Sequence, residues 1–535
     1  MASVVEFGWR RTAVVAAVML AALMQLADTT IVNVALPTID GSLGASVDEG
    51  AWFVTAYIIA NVIVIPLSPW LMIVVGRRNY FALSIAGFTA ASILCGLADS
   101  TNAEIALRFV QGAFGGGLMV PAQQIMRDTF PPAELGKSQS LFALAVVIGP
   151  TIGPTVGGIL TDNASWNWVF FVNVIPGIVA TALVLLFLRD PAAPKRVPFD
   201  GWGVALMAVG LGSLQYVLDE GERSDWFNDN AIVLLTVLAA TALTGFVLWE
   251  LFVAKTPAVA LRVLRNRTVW AMALFSFATG ATLFGLIFIQ PQYTQNVLGF
   301  TTTLAGTLLM VRAGAMALLY PVTNWVVNQR YDLRFVAAGG ILLLGAATWW
   351  QAGLMTSHST FGTFVVSQAL GGVGLAFVFV PLNVLLFRAV EPPTVPAALA
   401  LSRLAQQIGG SFGSAYAVTL LDRGFAHAYA TLAAGLTANR PPVSLFLASH
   451  AHGAVALAGI VAREASNLSN ADATRFFALL SFGVVAVPFL FARGTLPAAR
   501  AAAPQPPDAL RPPATAVSVP APEPVRVRQR ELVAR

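Results

Sequence analysis

Ser138-Gln139-Ser140-Leu141-Phe142-Ala143-Leu144-Ala145-Val146-Val147-Ile148-Gly149-Pro150-Thr151-Ile152-Gly153-Pro154-Thr155-Val156-Gly157-Gly158-Ile159-Leu160 runs without one charged residue. At about 1.5 Å of rise per residue, a helix over this stretch is roughly 34 Å long, enough to cross a hydrocarbon core about 30 Å thick. Its glycines at 149, 153 and 157 recur every fourth position and form one side-chain-free stripe on which a second helix backbone approaches closely. Pro150 and Pro154 remove two backbone donors and leave the helix bendable. Ordinary small-residue packing is the plain reading of such a stripe; two successive Gly-Pro turns ending in Gly-Gly make it an unusual one.

The remainder of the chain is of the same kind. It is 57% hydrophobic and 11% charged, against roughly 25% charged residues in a soluble domain. Apolar runs bounded by charges and turn residues predict spans at 13–36, 51–75, 79–98, 104–126, 138–160, 168–188, 201–218, 230–253, 268–290, 303–327, 334–355, 361–386, 395–420 and 475–493. The first run is too long for a signal-peptide core and holds Asp28, so it reads as a retained span. The single Cys95 excludes an internal disulfide and a thiolate metal cluster. The net charge of +5 does not point to nucleic acid, because the basic residues sit in short loops and the tail.

Those basic residues report topology instead. Arg10/Arg11, Arg77/Arg78, Arg127/Lys137, Arg189/Lys195/Arg196, Lys255/Arg262/Arg265/Arg267, Arg330/Arg334, Arg388 and the Arg-bearing tail fall on one side of the predicted spans. The short loops at 40–49, 99–104, 162–166, 290–302 and 357–361 carry no Lys or Arg, and Arg223, among Asp219, Glu220, Glu222 and Asp225, is the exception. By the positive-inside rule both termini are cytoplasmic. A fifteenth span over 443–461 is rejected, because His450 and His452 interrupt it and it would put the basic tail outside; 421–474 reads as a large external loop with amphipathic helices. The Ala/Pro-rich tail from 496 to 535 has the composition of a disordered extension. Truncation after about residue 500 is expected to leave the activity of the membrane-embedded part nearly intact; a truncated chain that inserts normally and loses that activity would overturn this.

Beyond the 138–160 stretch, Ala27-Asp28-Thr29-Thr30-Ile31-Val32-Asn33-Val34-Ala35-Leu36-Pro37, Arg108-Phe109-Val110-Gln111-Gly112, Trp166-Asn167-Trp168-Val169-Phe170-Phe171-Val172-Asn173 and Gln290-Pro291-Gln292-Tyr293-Thr294-Gln295 carry a resemblance. The chain resembles the fourteen-span drug:proton antiporters of the major facilitator superfamily, the EmrB/QacA type, from about residue 10 to residue 493. The resemblance implies that Gly149, Pro150, Gly153, Pro154, Gly157 and Gly158 form the family's antiporter motif. It departs from the family where Pro69 and Ile73 replace a Gly and an Asp ahead of Gly76-Arg77-Arg78, so the charge lock implied for that loop lacks two of its residues. Gln406 stands where the family often has an Arg, with Arg403 one turn earlier.

Ionisable residues inside spans cost about 2.5–3.5 kcal/mol or more at a helix centre unless paired or hydrated, and so mark function. Asp28 and Arg108 lie at a similar expected depth, roughly 22 Å from the cytoplasmic end by the rise per residue, so an ion pair is geometrically possible. They are the expected proton-coupling residues. Asn33, Trp52, Tyr57, Gln111, Arg312, Arg403 and Gln406 are expected to face the substrate cavity. The plainer alternatives are a wet helix end for Asp28, a structural lock for Arg108 or Arg312, snorkelling for Arg403, and interface-belt aromatics for Trp52, Tyr57, Trp349 and Trp350. Glu250 is expected to snorkel to the interface.

The expected architecture is an all-α integral membrane protein of 14 transmembrane helices: a six-helix bundle over 1–190, two added helices over 191–260, and a second six-helix bundle over 261–495 with the 421–474 loop on the periplasmic side. The expected function is proton-coupled export of lipophilic compounds from the cytoplasmic membrane of a bacterium. No cofactor beyond the coupling proton, no metal, no nucleic acid and no ATP is called for. Gly136-Lys137-Ser138 imitates the end of a P-loop, but Pro131 stands where its first Gly belongs. The resemblance further implies a periplasmic adaptor and an outer-membrane channel as partners. An uptake symporter is the alternative of the same class. A membrane-embedded lipid-modifying enzyme is disfavoured by spans with one firm acid and no His.

Overall fold

Proline, glycine and capping side chains set where the apolar runs break. In the computed structural model, which describes residues 6–190, 193–329, 331–437, 440–449 and 453–491, α1 (Gly8–Leu43) ends at Gly44 in the left-handed region, φ 67°. A reciprocal capping box of Ser46 and Glu49 starts α2 (Val47–Val64). Pro66 and Pro69 then break the span with a 3-10 turn before α3 (Ser68–Val74), and Gly76, at φ 89°, turns the chain into α4 (Arg77–Cys95). Next come α5 (Thr101–Gly116) and α6 (Met119–Thr129), one run broken at Gly117 and Leu118. α7 (Leu135–Asn163) stays helical through Pro150 and Pro154. It is followed by α8 (Trp168–Phe171) and α9 (Val174–Phe187).

Asp200 and Asp229 side chains cap α10 (Gly201–Glu220) and α11 (Asn230–Leu248). The order closes with α12 (Arg267–Gln292), α13 (Thr302–Asn328), α14 (Leu333–Gly353), α15 (Phe361–Ala389), α16 (Val395–Ala434), α17 (Pro441–Ser449) and α18 (Gly453–Gly483). There is no strand among the described residues. Twelve helices or joined helix runs are long and apolar enough to cross a membrane. α4 and α16 fall outside that set, α4 because it opens on Arg77-Arg78-Asn79 and α16 because Arg403, Gln406 and Gln407 dilute it. Side chains such as Ile175, Leu234, Phe252 and Leu318 are exposed on the outer surfaces of these helices, as a lipid solvent requires.

Where a loop is expected over 421–474, α16 and α18 run on past their expected limits of 420 and 475. They pair there through the Ser469 hydroxyl, which donates to the Leu421 carbonyl at 2.8 Å. Ala- and Leu-rich sequence propagates a helix wherever nothing stops it. The 443–461 stretch is split between α17 and the start of α18, and His450 and His452 lie outside the described residues, as do Arg330 and the 496–535 tail.

α1, α2, α4, α5, α7 and α9 pack on one another, and α12, α13, α14, α15, α16 and α18 do the same. α10 pairs with α11 and leans on α2 and α16. Small residues bring backbones together at the tightest crossings: an added Cβ on Gly112 would lie 2.2 Å from the Tyr57 carbonyl, and one on Gly413 2.1 Å from that of Ala281. The two helix sets meet through α7 with α13 and α15, and through α6 with α16. At the end where α1 begins they share one core, in which Ile65, Met72, Val120 and Ala143 join Met272, Tyr320, Leu385 and Val395. At the opposite end each set keeps its own core, around Ile31, Phe53 and Phe170 in the first and around Tyr293, Phe364 and Phe477 in the second.

Candidate functional site

Asp28 is fully buried at the middle of the first helix set, and four other elements supply its surroundings. Arg108 of α5 donates from Nη1 to Asp28 Oδ2 at 2.8 Å; Gln111, one turn further along α5, donates from Nε2 to Oδ1 at 3.0 Å. Asn173, at the start of α9, donates to the same Oδ1 at 3.1 Å and also to the Ser92 hydroxyl of α4, which in turn donates to the Phe170 carbonyl. Arg108 spends its Nε on the Phe53 carbonyl of α2 at 2.9 Å, and its guanidinium lies 4.4 Å from the Tyr57 ring centroid. The carboxylate thus meets one cation and two amide donors with no solvent exposure, and separating such a buried pair costs about 3–5 kcal/mol.

The glycine stripe of α7 packs on α1 beside this acid. An added Cβ on Gly149 would lie 2.6 Å from Leu26 Cβ, one on Gly153 2.0 Å from Thr30 Oγ1, and one on Gly157 2.9 Å from Ile31 Cγ1. Asp28 falls between those contacts in sequence, so the bendable helix holds the backbone that carries the acid. Pro150 is buried; Pro154 and Gly158 are half-buried.

The other expected cavity residues do not gather around Asp28. Arg403 donates from Nε and Nη2 to the Gln123 side-chain oxygen at 3.3 and 3.0 Å and from Nη1 to that of Gln406 at 2.9 Å, over the Phe142 ring. Gln123 in turn donates to Asn383 at 2.8 Å and to Gln139 at 3.3 Å, so this network ties the first helix set to the second. Arg312 is 7% exposed and has no hydrogen-bond or ion-pair partner among the described residues; Gly372 packs on its backbone. Asn33 is exposed, and Trp52 lies against Tyr216 of α10, ring centroids 5.4 Å apart. Trp349 and Trp350 are each 45% exposed on α14.

One expectation needs correction, and one loop gains a detail. Glu250 does not reach outward: it is 1% exposed and accepts the Val259 amide at 3.2 Å, because the chain folds back over it after a π-turn at the end of α11. The loop around Gly76 keeps an ionic tie despite Pro69 and Ile73, since Arg77 pairs with Asp128 at 2.6 Å and the Asp190 carboxylate accepts the Arg78 amide at 2.8 Å. Sequence reasoning assigned no role to Ser92, Asn173, Gln123 or Asn383, and left Glu104 at a loop boundary. Glu104 is buried on the face of α5 that carries Arg108 and Gln111. The spacing of 104, 108, 111 and 115 at four, three and four residues is the signal that would have found it.

A model of the Major Facilitator Superfamily matches residues 18–414. The chain is similar to the multidrug export protein EmrB of Escherichia coli (strain K12), 33% identical over 405 residues that cover 76% of this chain and 79% of that one. With the same coverage over 405 residues it is 31% identical to the fatty acid resistance protein FarB of Neisseria gonorrhoeae. The solved human organic anion transporter MFSD10 (TETRAN) superposes with a TM-score of 0.56 at 14% identity, over 89% of this chain and 99% of that one. The proton:xylose symporter XylE does so with a TM-score of 0.56 at 14% identity, over 89% and 96%. At such identities the likeness is one of fold.

Proposed function

Because this chain belongs to the major facilitator superfamily, we propose that it exports lipophilic toxic compounds across the cytoplasmic membrane of a bacterium in exchange for protons. The observation that carries the reading is the Asp28–Arg108 pair, buried at the heart of one helix set and held by neutral amides, with the flexible glycine-proline helix packed on the same backbone. An acid in that position binds a proton only by giving up its cation, which couples protonation to the packing around it. Asp28 carries the proton and Arg108 is its counter-charge. The names of two similar proteins, the multidrug export protein EmrB and the fatty acid resistance protein FarB, support outward transport of toxic compounds.

In this reading α4 and the first part of α16 join the twelve apolar runs to make fourteen spans, six in each rocking half and two, α10 and α11, between them. The basic loops put both termini in the cytoplasm. The core shared by both halves at the α1 end then seals the cytoplasmic side. The paired ends of α16 and α18 lie on the periplasmic side and offer a docking surface for an adaptor that leads to an outer-membrane channel. Arg312, buried without a counter-charge, faces the substrate path. The protein is a transporter and not an enzyme.

Everted vesicles that contain the chain are expected to extrude a substrate dye when energised and to stop when a protonophore is added while ATP remains. Export that continues on ATP alone would reject proton coupling. Protonophore-sensitive movement in the opposite sense in the same vesicles would reverse the assignment in favour of a symporter.

A further inference from the structure

Glu104 stands in the first turn of α5, is fully buried, and has no hydrogen-bond partner on either carboxylate oxygen. A bare carboxylate in that condition costs several kcal/mol, so the group is held as the neutral acid. Arg108 follows four residues later on the same helical face, roughly 6 Å further along the axis by the rise per residue. The charged and titratable groups that face Glu104 are Arg108 on its own helix, Asp28 on α1 and the Cys95 thiol on α4. From α2 the cluster is closed by Tyr57, whose ring underlies Arg108. The thiol, which lies against Glu104, is turned toward the Gln111 side-chain oxygen at 3.7 Å and brings no positive charge to the carboxyl. No residue assigned above uses this second acid.

Resting on the proton-coupled reading, we propose that Glu104 is a second proton-binding carboxyl that hands its proton to Asp28 while Arg108 changes partner from Asp28 to Glu104. In that step an O–H bond breaks on Glu104 and one forms on Asp28. The guanidinium keeps its charge. One carboxylate and one cation are present before and after, so no uncompensated charge is created in the buried site. Rotation of the two carboxyl side chains, or one bridging water, closes the gap between them. Glu104 lies nearer than Arg108 to the end of α5 remote from the start of α1, and in the proposed topology that end faces the outer water from which Glu104 regains a proton.

Infrared difference spectra of the full chain reconstituted in lipid test this without any substrate. The parent is expected to show a protonated-carboxyl carbonyl band that Glu104→Gln removes. Asp28→Asn imitates the protonated Asp28, so in that variant Glu104 is expected to ionise against Arg108 and its band to vanish. A parental spectrum unchanged by Glu104→Gln, or a Glu104 band that persists in Asp28→Asn, overturns the proposal. If Asp28→Asn does not assemble, energised dye export decides. Glu104→Gln is expected to lose about a hundredfold in rate, the lower end of the range general acid–base groups contribute, with Glu104→Asp recovering part; a parental rate in Glu104→Gln overturns the handoff. Protonophore-insensitive export by the parent would instead sink the coupling reading, whatever the carboxyl bands show.

Discussion

Asp28→Asn is expected to insert, accumulate and export nothing above the background of empty vesicles. The side chain has nearly the shape of the acid, and its amide oxygen can still accept from one of the three donors that Asp28 serves, Arg108, Gln111 and Asn173. Its NH2 group, however, replaces an oxygen that accepts from Arg108 or from the Gln111 and Asn173 amides, and Arg108 loses its counter-charge inside the bundle. The cost of leaving a buried cation unpaired is about 3–5 kcal/mol, which lowers the yield of folded protein without abolishing it if Glu104 ionises in compensation. What cannot be restored is the titratable proton. Asp28→Glu keeps that proton with one more methylene and is expected to retain part of the transport. Quantitative immunoblots beside energised dye export in everted vesicles make the check. Parental export by Asp28→Asn at equal abundance would return the residue to a purely structural place.

Gly153→Leu is expected to abolish export and to reduce the accumulated protein several-fold, while Gly41→Ala leaves both unchanged. A Cβ alone at position 153 would stand 2.0 Å from Thr30 Oγ1 and 2.9 Å from the Ala27 carbonyl, whereas nothing lies within 4 Å of one at position 41. Overpacking a core costs about 1–3 kcal/mol, and here one of the obstacles is backbone, which has nowhere to rotate. The strain is relieved by moving α1 off α7, and Ala27 and Thr30 bracket the acid. Asp28 would then leave the reach of Asn173 and Gln111 before any other part of the fold was disturbed. Gly149→Ala, whose Cβ meets Leu26 Cβ at 2.6 Å, should fall between the two. Equal export by the parent and Gly153→Leu would show that the stripe does not set the α1–α7 distance.

The helices that sit in lipid were legible because bilayer thickness imposes a length and an apolarity that few other segments share. The family resemblance pointed to the fold for the same reason. Positions were harder where the physics is not that of a bilayer. α16 and α18 continue beyond it because nothing in 421–434 or 453–474 stops a helix, and hydropathy does not register a helix in water. Glu250 was misread because a π-turn and the chain after it, not the span, decide its environment. Arg108 and Asp28 could be matched by depth alone, since both sit on regular helices. Asn173 reaches the same carboxylate, and Ser92 reaches Asn173, from elements whose rotation about their axes is set by packing, and no spacing within one segment records that. Glu104 is the exception: its register with Arg108 was present in the chain and was hidden by placing a helix boundary on it.

Among the contacts that join the two halves, a polar one links Arg403 to the amide oxygen of Gln123, and Gln123 to Asn383. Each of these partners is neutral. When the halves part, water replaces an amide, and the loss is about 1.5–3 kcal/mol for a bond to a charged group, below the cost of separating two buried opposite charges. In the rocking cycle proposed above, a clasp of this kind would open and reclose at every turnover without a deep well on either side. It also has no group that titrates between about pH 4 and 9, because amides do not ionise and a guanidinium keeps its proton throughout. The acidity of the medium therefore leaves the clasp untouched, and a bell or slope in transport rate against pH reports the buried carboxyls, Asp28 and Glu104 beside Arg108 and Glu220 and Glu250 at the ends of the two central helices.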